Sequence, residues 1–201
     1  MKTFFTSDHH FGHKSILQHQ AETRPFENTH EMNVVYTDIW NKTIDQDDVV
    51  YHLGDLCLGS LYNAKNYISR LNGVIKLIPG NHDRWIRDFS KREEDILSAS
   101  GHPLEILHNL YEVKIDGIMT VLCHYPMRSW RASYHGTWHL YGHVHRNLEP
   151  WGMSMDVGVD GAQGIPYSEE QIITYMHERK KQLEAMEVIK PEWHTSLESP
   201  S

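Results

Sequence analysis

Five separate runs rich in β-branched and aromatic residues each end at an aspartate, asparagine or histidine, and this constrains the chain more than its composition does. Residues 3–6 lead into Asp8-His9-His10, 49–53 into Gly54-Asp55, and 74–78 into Pro79-Gly80-Asn81-His82-Asp83. Residues 118–122 end near Cys123-His124, and 138–141 end at Gly142-His143-Val144-His145. Further strand candidates cover 111–115 and 153–159. A lone Gly-Asp is usually a turn, and a lone His-x-His says little. Five such pieces at strand ends, where reactive residues of α/β folds collect, point to one shared site. In three of them glycine directly precedes the candidate, as a sharp turn or close backbone approach favours. In an extended strand Asp8 and His10 point the same way and His9 points away.

The intervening segments read as helices. Asn28-Thr29-His30-Glu31 is an N-cap with an acid three residues on, followed by a stripe of Met32, Val35, Tyr36, Ile39 and Trp40. Leu61, Ala64, Ile68 and Leu71 make a second apolar face. Asp116-Gly117 marks a tight hairpin. Ser168 with Gln171 forms a capping box for a last helix that turns Ile172, Tyr175, Met176 and Leu183 inward. Early alternation of strands and helices followed by hairpins predicts an α/β fold with a mixed sheet or two packed sheets. We expect one domain over residues 1–188 and a frayed polar tail over 189–201.

Composition narrows the function. The 201 residues carry a net charge of −8, which argues against binding nucleic acid through its phosphates. No apolar run approaches bilayer length, so no membrane partner is expected. The two cysteines form no disulfide framework and the apolar start is too short for a signal peptide, so a cytoplasmic location is expected. Cys57 and Cys123 read as small buried hydrophobes. Histidine is abundant, at 16 residues.

Asp8-x-His10, Gly54-Asp55, Gly80-Asn81-His82-Asp83, His124 and Gly142-His143-x-His145 resemble, in order, the signature of the calcineurin-like metallophosphoesterases, in the manner of their small bacterial and phage-type members. Asp156-Val157-Gly158-Val159-Asp160 looks like the strand that follows. Leu58 departs from the pattern, standing where the usual Gly-Asp-x-x-Asp stretch has its second acid. The resemblance implies a two-layer β core flanked by helices (an α/β/β/α sandwich) with metals at the strand ends. Carried over by position, Asp8, His10 and His145 would bind one ion, and Asn81, His124 and His143 the other, with Asp55 bridging. A hydroxide between the two ions would attack a phosphomonoester or phosphodiester of a small molecule or nucleotide. The ligands suit manganese, iron, zinc, cobalt or nickel alike.

His82 should overhang the bound phosphate and donate a proton to the leaving group, with Asp83 orienting it. Arg24, Arg84, Arg128 and Trp130 are candidate substrate contacts, Arg for phosphate oxygens and Trp for stacking. His13 and His52 could support the ligands. Two other readings are a binding module that keeps the fold without catalysis, and a nuclease subunit. The first usually loses ligands, which are all present here. The second needs a basic track, and the clusters at 84–92 and 179–181 are interleaved with or followed by acids. The sequence leaves oligomeric state open.

Overall fold

The computed structural model describes residues 1–90 and 95–186. The expected tail at 189–201 lies outside the described residues. One sheet holds β1 (Thr3–Thr6), β2 (Val49–His52), β3 (Val74–Leu77), β4 (Glu105–Ile106) and β9 (Tyr167–Ser168) in the order β4-β3-β2-β1-β9. Its first four strands are parallel and β9 runs antiparallel to β1. The second sheet holds β5 (Leu110–Ile115), β6 (Ile118–Cys123), β7 (Trp138–Tyr141) and β8 (Ser154–Asp156) in chain order. Its β5–β6 pair is antiparallel and the remaining pairs are parallel. Two mixed sheets with flanking helices make an α/β sandwich, the expected fold class.

Helices connect the parallel strands of the first sheet. They are α1 (Ile16–His19), α2 (Thr29–Thr43), α3 (Leu61–Ile68) and α4 (Ile86–Phe89); α5 (Glu169–Ala185) follows β9. Asn28 caps α2 by accepting from the Glu31 N–H, and Ser168 and Gln171 form the expected box on α5. Met32, Tyr36 and Trp40 of α2 and Leu61, Ala64 and Ile68 of α3 are buried, as their spacing predicts. Val35, Ile39, Tyr175 and Leu183 are only half-buried, at the margins of their stripes. Asp116 and Gly117, at φ 52° and 74°, close the β5–β6 hairpin.

Alternation along β1 divides the core. Phe4 faces a cluster with the α2 and α3 stripes, whereas Phe5 joins Leu53, Ile78, Leu122, Leu140 and Met155 between the sheets. Ile172 and Met176 of α5 complete the second cluster. The run 153–159 gives only the three-residue β8. Beyond it Gly158 bridges Ser7, just past β1, and so stitches the C-terminal ends of the two sheets together. The candidate residues emerge at that seam.

Candidate metal centre

Asp8, His10 and His145 each offer one ligand atom, all within 4.8 Å of one another; so do Asp55, His124 and His143. Asn81 joins the second group, its Oδ1 lying 3.1 Å from His124 Nε2. Asp55 Oδ2 faces both groups, 3.6 Å from His10 Nε2 and 3.5 Å from His124 Nε2. All seven residues picked from the sequence therefore converge at one place.

How they converge differs from expectation at β1. Asp8 and His10 share a side because both take left-handed backbone, at φ 62° and 53°, not through strand alternation. Asp55, His143 and His145 do the same, at 54°, 73° and 48°. Such conformations cost non-glycine residues about 1–3 kcal/mol each and persist only where surrounding bonds over-determine them. Those bonds are present. Asp8 N–H donates to Gly54 O and His10 N–H to Asp55 O, each at 3.0 Å. Asp8 Oδ2 accepts from Ser7 Oγ and from the His143 N–H. Gly54, at φ 93°, lies so near the next loop that a Cβ would stand 2.7 Å from the Gly80 backbone.

The ring nitrogens are sorted by their outer partners. His124 Nδ1 lies 2.8 Å from Leu53 O and His145 Nδ1 lies 2.7 Å from Asp160 Oδ2. Both partners only accept, so each Nδ1 carries a proton and leaves Nε2 facing the centre. His10 Nδ1 sits 3.0 Å from His13 Nδ1, and His13 Nε2 lies 2.9 Å from Ser15 Oγ. A His10 ring ligating through Nε2 would donate to His13, the supporting role anticipated for that residue.

Two buried atoms test whether this arrangement suits a cation. Asp8 Oδ1 and His10 Nε2 have no hydrogen-bond partner and both point into the first group. Orphaned buried polar atoms are costly, and a positive ion would satisfy both. Burial pushes the Asp8 carboxyl up to about 6 and holds His10 well below the usual histidine range. Burial also opposes charge on Asp55 and His124, but their mutual hydrogen bond and neighbouring charges win, lowering the Asp55 pKa and raising that of His124. A cation can take the place of that proton, since ligation requires deprotonated donors. Imidazole, carboxylate and amide oxygen without thiolate fit two divalent transition-metal ions.

His82 lies on the open side, its side chain 32% exposed and its ring 5.1 Å from His10 and 4.9 Å from His13. Its N–H donates to Asp55 Oδ1. Asp83 does not act on that imidazole as expected. Its buried carboxylate accepts from the N–H groups of Asp55, Leu56, Cys57 and Gly80, tying the two loops together. Arg24 is also corrected as a substrate contact. It is fully buried and paired with Asp160 at 2.7 Å, a residue the sequence reading took only as part of a strand. Trp130 is likewise buried, donating to Thr137 and packed 5.2 Å from the His139 ring, so it offers no face for stacking. Arg84 and Arg128 are exposed, and Arg128 lies 4.7 Å over the exposed Trp151 ring. Cys57 is buried, with a thiol that burial pushes far up, whereas Cys123 is half-buried. His9 and His52 hydrogen-bond each other beneath the site, and both are kept neutral by burial.

No family model matches the chain. The uncharacterized protein MJ1445 of Methanocaldococcus jannaschii is 29% identical over 188 residues, covering 89% of this chain and 93% of its own. Among solved structures, AQ665 of Aquifex aeolicus, a protein of unknown function, aligns over 87% of this chain and 98% of its own, with a TM-score of 0.66 at 22% identity. The two share one fold. YfcE, a phosphoesterase from E. coli, aligns more loosely, over 79% of this chain and 78% of its own, with a TM-score of 0.42 at 19% identity. Among the described residues no helix is long and apolar enough to cross a membrane.

Proposed function

We propose that the protein is a calcineurin-like metallophosphoesterase that hydrolyses phosphate mono- or diesters of a small molecule or nucleotide with two divalent cations. The observation that carries this reading is the pair of orphaned buried atoms, Asp8 Oδ1 and His10 Nε2, set among the other five candidate ligands. Asp8, His10 and His145 would hold one cation and Asn81, His124 and His143 the other, with Asp55 shared. Bound there, the cations would supply a water activated for attack and offset the phosphoryl charge. With Asp8 and Asp55 as the charged ligands, the cluster keeps a charge near +2, which attracts a phosphate ester to a chain of net charge −8.

The chain's own part is positioning and proton transfer. Asp55 Oδ1 fixes the backbone of His82 by accepting its N–H. His82 then presents Nε2 at the open side, 4.0 Å from Asp55 Oδ2, where a leaving-group oxygen could take its proton. Arg84 and Arg128 are exposed and would be the side chains to meet phosphate oxygens, Arg128 by leaving the Trp151 ring that it covers at 4.7 Å. The test is hydrolysis of bis-nitrophenyl phosphate by chelator-stripped protein after addition of manganese or nickel. The reading predicts turnover that returns with metal and is lost in Asp55→Asn. Metal uptake without turnover on any phosphate ester would instead favour a binding module.

A further inference from the structure

The two ligand groups are braced by different devices. Arg24 and Asp160 have side chains of 0% exposure and belong only to the first group. Every guanidinium donor is used. Nε and Nη2 donate to the two Asp160 oxygens, Nη2 also to Asp8 O, and Nη1 to His9 O and Met32 Sδ. Asp160 is equally filled, since Oδ1 also accepts from Thr23 Oγ1 and Oδ2 from His145 Nδ1. A buried ion pair is expensive unless all its donors and acceptors are satisfied, and here they are. The outward bonds go to the carbonyls of Asp8 and His9, within the left-handed turn, and to the ring of His145. One ion pair thus joins the first sheet's ligand loop to a ligand delivered by the second sheet. The other group has separate supports, Asp83 on the Asp55 loop and Leu53 O on His124. The groups meet at Asp55 and where the His143 N–H donates to Asp8 Oδ2.

We infer that Arg24 and Asp160 are positioning residues that set the cation affinity of the Asp8/His10/His145 site independently of the Asp55/Asn81/His124/His143 site. This rests on the two-cation reading above. Outer partners that orient a ligating histidine typically govern affinity by about 10–100-fold.

The test is titration of chelator-stripped protein with Co²⁺, followed by calorimetry and by the visible absorption of bound cobalt. Wild type should take up two ions. Asp160→Asn should weaken one of them about 10–100-fold and leave the other within about threefold. At low metal its spectrum should match that of His145→Ala. Arg24→Lys keeps the charge but loses the fork, and should weaken the same ion. Should Asp160→Asn not fold, Thr23→Val removes a single bond to Asp160 and should give a smaller loss at that ion alone. Equal weakening of both ions, or none of either, would overturn the inference while leaving the two-cation reading intact. Wild-type protein that binds no cobalt would overturn both.

Discussion

Asp83→Asn separates two roles for the residue that follows His82. Each Asp83 oxygen receives two backbone N–H donors: Oδ2 those of Asp55 and Gly80 at 2.8 and 2.9 Å, and Oδ1 those of Leu56 and Cys57 at 3.0 and 3.3 Å. Whichever oxygen becomes an amide nitrogen, two buried donors lose their acceptor. Hydrogen bonds to a charged group contribute about 1.5–3 kcal/mol each, so the substitution should cost about 3–6 kcal/mol. For a chain of this size each kcal/mol moves Tm by about 2–4 °C, giving a fall of roughly 6–24 °C. Thermal unfolding followed by circular dichroism in the presence of chelator measures this without any contribution from metal. An Asp83 that served only to orient the His82 ring would leave Tm unchanged and slow alkyl esters selectively. A Tm within about 2 °C of wild type, together with that selective loss, would refute the loop-tying role.

His82→Ala should retain both metals and slow an alkyl phosphate ester by about 10²–10⁴-fold, with a much smaller loss on a nitrophenyl ester whose leaving group needs no proton; equal losses would remove the acid role. Gly142→Ala places a Cβ against Ser7 Oγ and Asp8 Oδ2. It should cost about 1–3 kcal/mol and lower metal content, read by Tm and elemental analysis. The buried His139 ring donates Nδ1–H to Val121 O and accepts the Met127 N–H at Nε2, and burial pushes its pKa down to about 4. The unfolded chain binds a proton below about 6.5 that the native ring refuses, so stability should fall by roughly 3 kcal/mol as pH drops from 6.5 to 4. His139→Gln should lose that slope, and stability curves parallel to wild type would contradict it.

The sequence revealed most where its signals are local. Caps at Asn28 and Ser168, the Asp116-Gly117 hairpin and the strand ends carrying seven candidate ligands all stand where periodicity and turn chemistry put them. The two-residue strands β4 and β9 and the single-turn helices α1 and α4 escaped because two residues do not complete an alternation and one turn does not repeat an apolar stripe. The left-handed turn through Asp8 and His10 was invisible for another reason. Aspartate and histidine tolerate positive φ better than most residues but do not require it; here that geometry is held by bonds to Gly54 and Asp55 across the sheet. Arg24 read as a free cation because its partner lies 136 residues away, and nothing near either residue announces the pair. A spare aspartate in Asp156-Val157-Gly158-Val159-Asp160, close behind a His-x-His motif, was the one available hint.

The most direct test is a crystal grown with excess manganese and measured at a wavelength where manganese scatters anomalously. The account predicts two anomalous peaks, one among Asp8, His10 and His145 and one among Asn81, His124 and His143, with Asp55 touching both. Absence of peaks at those side chains, or a single ion held elsewhere, would contradict it.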